Sequence, residues 1–239
     1  MQRIQLKLPY FMKLTSQEVF EKLVNDYKII GEQGVINFTL KDLSISIETK
    51  DTVGNLLQEW IKAWLISMDI DFEENKNTQK FPDFYLDLED KKKGLLEVKS
   101  FDWDRGPGFD LANFDSYCTS LLTNSYRIDS DYLIIAYQMK GSALSIKNVW
   151  LKKIWELSCP SGPYPIKVQE KKSVIYNLRP ATWYSERTTF KTFLSKEEFL
   201  SALNETRYQY PQTRHTNGHW LQSVLKNYAE HTGVKLSVK

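Results

Sequence analysis

The sequence predicts an α/β domain in which a mixed central β-sheet is flanked by helices. Three observations predict it. Apolar residues recur at helical spacing through 52–68 (Val53, Leu56, Leu57, Trp60, Ile61, Trp64, Leu65, Met68). Two runs with strand character, 81–88 and 94–101, are joined by the polar, Gly-ended turn 89–94. A charge-free, β-branched run, 132–139, follows a further helical stretch.

The remaining elements follow in order. Thr15 and Glu18 stand at capping-box spacing, so a helix is expected over 16–26. A hairpin is expected from 35–40 and 43–49, and a helix over 110–123 after the Gly106-Pro107-Gly108 break. The run 132–139 pairs through Lys140-Gly141-Ser142 with 143–151 and suits the position beside the 94–101 strand. Pro160, Pro163, Pro165 and Pro180 interrupt the following segment. Ser195 and Glu198 open another helix, and a last one over 219–230 stops at Gly233. At 239 residues a single domain, 1–239, is expected. Its parts are a helix and hairpin (1–50), a core (51–151), and basic Pro-rich loops with C-terminal helices (152–239).

Composition narrows the function. Hydrophobic content of 41% is enough for a core, and no apolar run reaches membrane-span length. The N-terminal Met1-Gln2-Arg3-Ile4-Gln5-Leu6-Lys7 lacks the apolar region of a secretory signal. Two cysteines, Cys118 and Cys159, make neither a disulfide framework nor a zinc site. His215 and His219 stand four apart without a carboxylate beside them and read as surface residues at a helix start. The charge is uneven: residues 51–115 carry 15 acids and 8 bases, whereas 151–191 carry 8 bases and 3 acids. An acidic centre with a basic region elsewhere suits a phosphate backbone approached through a cation.

The acids that matter are Asp83, after Pro82, and Glu97, two residues before Lys99. Strand side chains alternate faces, so Glu97 and Lys99 point the same way while Leu96 and Val98 face a core. Pairing the two strands brings Asp83 beside them. Two close carboxylates repel unless a cation sits between them. Magnesium takes oxygen ligands and keeps several waters. It can orient a water, lower its pKa and neutralise charge building on a phosphate. Lys99 is a point charge suited to the attacking water or to a phosphate oxygen. This pattern reads as a PD-(D/E)XK nuclease signature, with Asp83, Glu97 and Lys99 catalytic and Asp83, Glu97 and Val98 as metal ligands. Such enzymes often carry another carboxylate on the preceding helix, for which Glu59 is the candidate; the rival reading is a solvated glutamate beside Lys62.

DNA contacts are expected from the stretch after the motif. Arg105 can fork onto guanine O6 and N7, and Asp102 or Asp104 can accept from cytosine N4. The rival reading is an internal Asp–Arg pair that stiffens the loop. Asn113, Arg179, Arg187 and Lys191 complete the expected DNA-binding set, with Trp183 and Tyr184 interleaved among the bases.

The segments 51–60, 77–86, 95–102 and 110–118, continuing through 146–155 and 176–180, resemble type II restriction endonucleases of the NgoBV-like group. The likeness covers roughly residues 12–207. It implies a PD-(D/E)XK fold and magnesium-dependent cleavage of double-stranded DNA at GGNNCC or a related palindrome. It also implies a cognate methyltransferase that acts on the same site without stable binding, and a cytoplasmic, prokaryotic setting. One active site per chain and two scissile strands favour a homodimer. The rival functions are a repair or structure-specific nuclease on the same fold and a catalytically inactive DNA-binding protein.

Overall fold

The computed structural model describes residues 11–77, 80–210 and 218–238; His215 and the N-terminal residues 1–10 lie outside the described residues. Helix α1 (Ser16–Glu21) is followed by a π-helical turn (Lys22–Asp26). Strands β1 (Gln33–Val35), β2 (Asn37–Leu40) and β3 (Leu43–Ser46) lead to the long helix α2 (Val53–Ser67). Then come β4 (Glu73–Glu74), β5 (Phe84–Tyr85), β6 (Leu95–Asp102) and β7 (Ala112–Asn113). Helix α3 (Phe114–Ser120) and a 3-10 turn (Ser125–Asp129) precede β8 (Asp131–Lys140) and β9 (Ala143–Lys153). Helix α4 (Ile154–Leu157), β10 (Val168–Lys171), β11 (Val174–Leu178), α5 (Lys196–Gln209) and α6 (Trp220–Thr232) complete the order.

Six strands form the central sheet in the order β1-β9-β8-β6-β5-β4. It is mixed: β6 and β8 run parallel, with Glu97 opposite Tyr132 and Lys99 opposite Ile134, and the other pairs are antiparallel. A parallel pair needs a crossover, and the segment holding α3 supplies it. The alternation of β6 divides the core. Leu96 and Val98 pack with Leu133 and Ile135 of β8 and with Val53, Leu57, Ile61 and Leu65 of α2. On the opposite face Phe101, Tyr132 and Ile134 pack with Phe114 of α3 and with Phe199 and Trp220 of the C-terminal helices α5 and α6. The active-motif strand is therefore buried on both sides, which fixes its register strongly.

Local chemistry sets the ends of the elements. The Thr15 hydroxyl accepts the Glu18 N–H and the Glu18 carboxylate accepts the Thr15 N–H, at 3.3 and 2.7 Å. Gly233 closes α6 at φ 73°, a left-handed conformation that suits glycine. Three expectations shift. The strand over 81–88 shortens to Phe84–Tyr85 because the Asp87 carboxylate accepts the N–H groups of Glu89 and Asp90, both at 3.0 Å, and starts the turn early. The helix over 110–123 starts at Phe114 because Asn113 caps it, accepting the Ser116 N–H at 3.0 Å. The Pro-rich segment holds a hairpin, β10-β11, where loops were expected, and β7 extends it to a three-stranded sheet. Its hairpin turns on Lys172 and Ser173, at φ 52° and 63°. Glycine or asparagine usually marks such a turn, so Lys-Ser gives no sequence signal.

Candidate active site

Where β5 ends, β6 loses its strand partner. The pairing stops at Phe84 opposite Leu96. The next N–H that needs an acceptor on that edge, Val98, donates to the Asp83 carboxylate at 2.7 Å. A side chain thus replaces backbone at the point where the sheet opens, and Asp83 is pinned beside the middle of β6. Its other oxygen accepts from Gln58 of α2 at 2.8 Å. Alternation along β6 puts Glu97 and Lys99 on one face, and the Lys99 ammonium donates to Glu97 Oε1 at 2.6 Å. Asp83 and Glu97 are both buried. The second Glu97 oxygen, Oε2, is buried with no hydrogen-bond partner.

A buried carboxylate oxygen without a partner is costly unless something positive reaches it. Asp83 shows the same frustration. Burial, and then the Glu97 charge, push its carboxyl up to about 7, against the pull of the Val98 and Gln58 hydrogen bonds and the Lys99 charge. Burial alone would lower the Lys99 ammonium, but Glu97 overrides it and leaves Lys99 raised and charged. Asp110 adds to that field. The donor set, two buried carboxylates of which one oxygen has no hydrogen-bond partner, fits a hard divalent cation that retains waters. Among the described residues no cluster of three or more His, Cys, Asp or Glu side chains competes for that role.

With this geometry in view, comparison with known proteins is decisive. The family model for the NgoBV restriction endonuclease matches residues 13–239. The chain belongs to the NgoBV restriction endonuclease family. It is 39% identical over 229 residues to the type II restriction enzyme NlaIV of Neisseria lactamica, covering 95% of this chain and 94% of that protein. It is 38% identical over 164 residues to the type II restriction enzyme NgoBV of Neisseria gonorrhoeae, covering 68% of this chain and 93% of that one. The solved NlaIV restriction endonuclease superposes with a TM-score of 0.92 at 39% identity over 96% of this chain and 94% of its own. The fold is thus the PD-(D/E)XK restriction-endonuclease fold, and the enzyme class is that of type II site-specific deoxyribonucleases. The family match runs past residue 207 and takes in the last helix. Among the described residues no helix is long and apolar enough to cross a membrane.

Within this NgoBV-family frame the other expected site residues separate. Glu59 is 61% exposed and pairs with Lys62 at 3.7 Å; α2 meets Asp83 through Gln58 instead. The helical phase explains it. Gln58 stands four residues after Gly54, where a Cβ would meet the Ser100 hydroxyl of β6 at 3.5 Å, so that face of α2 lies against the active strand. Asp102 is buried and salt-bridged to Lys50, with the Arg105 guanidinium at 3.7 Å, so it orients the loop and is not free for a base. Burial would raise Asp102, but Lys50, the Asp104 N–H and Arg105 hold it below the usual range. Asp104 accepts from Gln138 at 2.9 Å. Arg105 itself is 74% exposed.

Asn113 is occupied as the α3 cap and also donates to the Tyr176 carbonyl at 3.0 Å. Arg179 pairs with Asp110 and donates to the Gly108 carbonyl at 2.7 Å, so it ties the Gly-Pro-Gly loop to the end of β11. Arg187 and Lys191 are exposed. Trp183 and Tyr184 do not stand free: Tyr184 stacks on Trp103 at 5.2 Å, and Trp183 packs edge-on to Trp150 at 5.5 Å. That aromatic cluster carries the 183–191 segment alongside the Arg105 loop. The contacts that the sequence did not announce are Gln58 on Asp83 and the Asp110–Arg179 pair. Only the four-residue step from Gly54 marked Gln58, and nothing local links Asp110 to Arg179.

Proposed function

We propose that this chain is a magnesium-dependent, homodimeric type II restriction endonuclease that cuts both strands of a palindromic duplex, GGNNCC or a related site. The observation that carries the reading is the buried pair Asp83 and Glu97, with an unpartnered Glu97 oxygen and Lys99 beside it. Asp83, Glu97 and the Val98 backbone would hold the metal. When bound, the cation supplies Lewis acidity and positive charge at the scissile phosphate. Gln58 and the Val98 N–H keep Asp83 oriented and favour its ionised form. Lys99 holds the attacking water or the developing charge on the phosphate with a fixed ammonium. Arg105 reads a guanine edge from a loop stiffened by Asp102, and Arg187 and Lys191 grip phosphates. The enzyme works in a bacterial cytoplasm beside a methyltransferase that modifies the same site and forms no stable complex with it.

Digestion of a plasmid of known sequence tests this. Discrete fragments that need magnesium, vanish in EDTA and are lost in Asp83→Ala and Lys99→Ala are expected, and their ends give the recognition site. Cleavage unchanged by either substitution overturns the assignment.

A further inference from the structure

The hairpin of β2 and β3 is two-faced. Its register sets Phe38 opposite Ile45 and Leu40 opposite Leu43, so these four side chains share one face. The intervening pairs share the other face and are polar: the Thr39 hydroxyl donates to Ser44 and the Ser46 hydroxyl donates to Asn37, both at 3.0 Å. The polar face is satisfied by itself. Among the described residues nothing covers the apolar face, with relative exposures of 48% to 69%. A two-stranded hairpin is marginal in water unless its apolar face is packed, and a contiguous exposed apolar patch marks an interaction surface.

A concave partner surface lies next to it. A groove of about 670 Å³ opens between α2 and the β1–β2 segment. Tyr27, Leu56 and Trp60 stand on its rim, partly exposed, and Ile146 and Val149 line it below. Among the described residues the outer edge of β1 is also unpaired, because β1 ends the six-stranded sheet.

We propose that this hairpin face and groove are the surface through which two copies of the chain associate, the hairpin of each covering the groove of the other. Three observations favour a second copy over other occupants. Convex and concave apolar surfaces occur side by side on one chain, which is what a self-complementary two-fold interface requires. The seven exposed side chains named here offer on the order of 100 Å² each, roughly 700 Å² together, close to the ~800 Å² per partner of a stable interface. The segment 27–48 carries two bases, Lys28 and Lys41, against Glu32, Asp42 and Glu48, so it lacks the positive excess that a phosphate backbone needs. The choice of a second copy rests on the reading that one active site per chain serves two scissile strands.

Sedimentation of the full chain without DNA tests the proposal independently of catalysis. The wild type is expected at twice the 28.1 kDa of one chain. Phe38→Lys and Leu43→Lys are expected to sediment as single chains, with dimer affinity weakened roughly tenfold or more. Both positions are exposed, so the circular dichroism spectrum of each variant is expected to stay that of the wild type. Thr39→Lys, on the polar face, and Asp83→Ala, in the active site, are expected to remain dimers. A monomeric wild type, or a dimer that survives both apolar-face substitutions, overturns the proposal. Loss of cleavage with an intact dimer counts against the catalytic reading alone.

Discussion

The Gln58 amide of α2 donates to Asp83 Oδ1 at 2.8 Å while the Val98 N–H holds Oδ2 at 2.7 Å. Both bonds favour the carboxylate over the acid, against burial and the Glu97 charge. Removing the Gln58 donor therefore raises Asp83 further. In Gln58→Ala the acid limb of the cleavage rate against pH is expected to move to higher pH. The deficit is about tenfold near neutral pH and shrinks in alkali. Single-turnover cleavage across the pH range reads it. A uniform loss with an unmoved limb is the result expected of a merely structural amide.

Asp83 also couples stability to pH. Its folded carboxyl is raised from 3.8 to about 7. The sign follows: the folded state binds the proton more tightly than the unfolded chain. Its contribution is fully present below pH 3.8 and is lost as pH rises through about 7. In EDTA the wild type is therefore expected to lose stability over that window, by a few kcal/mol at most. Asp83→Asn, which cannot ionise, is expected to flatten that slope. A divalent cation stabilises the ionised pair, so it raises the wild-type melting temperature most at the alkaline end. Equal slopes for wild type and Asp83→Asn sink the assignment of this shift.

Glu59 is expected to be dispensable. It stands out in solvent beside Lys62, and Lys62 has a second acid in Glu74 at 2.6 Å. Exposed pairs of this kind contribute little. Glu59→Gln should cleave within about twofold of wild type, whereas Gln58→Ala, one residue away, should not. A large loss in Glu59→Gln would restore it to the catalytic set.

The contrast shows what a sequence can reveal. Asp83, Glu97 and Lys99 were readable because strand alternation is strict: once 94–101 is a strand, Glu97 and Lys99 must share a face and Leu96 and Val98 must share the other. The helix over 52–68 was readable for the same kind of reason, since five core-facing residues mark one side. Its flank was not. Gln58 and Glu59 differ by about 100° of rotation; carboxylate chemistry drew attention to Glu59, whereas the side chain that reaches Asp83 is Gln58. Within the basic cluster the partner of Arg179 was not readable either. Charge says that Arg179 is costly to bury unpaired, but not that its partner is Asp110, 69 positions earlier. The β10–β11 hairpin was hidden because its turn residues, Lys172 and Ser173, adopt a conformation that their types rarely announce.

Arg105 and the pair Arg187 and Lys191 should divide specificity from affinity. Arg105 is exposed but anchored at its base by Asp102. Arg105→Ala is expected to cost about 1–3 kcal/mol at the cognate site and to relax discrimination there. Arg187→Ala and Lys191→Ala are expected to weaken cognate and unrelated duplexes alike, each lowering the salt slope of binding by about 1. Binding titrations at several salt concentrations on both duplexes separate the two. A uniform loss in Arg105→Ala moves that residue to the phosphate class.

Lys99 joins the electrostatics of the site to its chemistry. Its ammonium donates to Glu97 Oε1, and Glu97 Oε2 has no donor. Replacing Lys99 with methionine keeps the stem and removes the charge, so it leaves a buried carboxylate wholly unpartnered. Two effects follow. Cleavage is expected to fall by about 10²–10³-fold, the scale of losing one fixed charge at a transition state. Binding of the duplex is expected to hold, because the exposed bases Arg105, Arg187 and Lys191 remain to grip it. Stability in EDTA is expected to drop, and a divalent cation is expected to restore it by taking the place of the ammonium beside Glu97. Single-turnover cleavage, duplex binding and melting with and without the cation measure the three quantities. Full stability in EDTA would mean that Glu97 finds another donor, and the site would then owe its order to something other than the Lys99 charge.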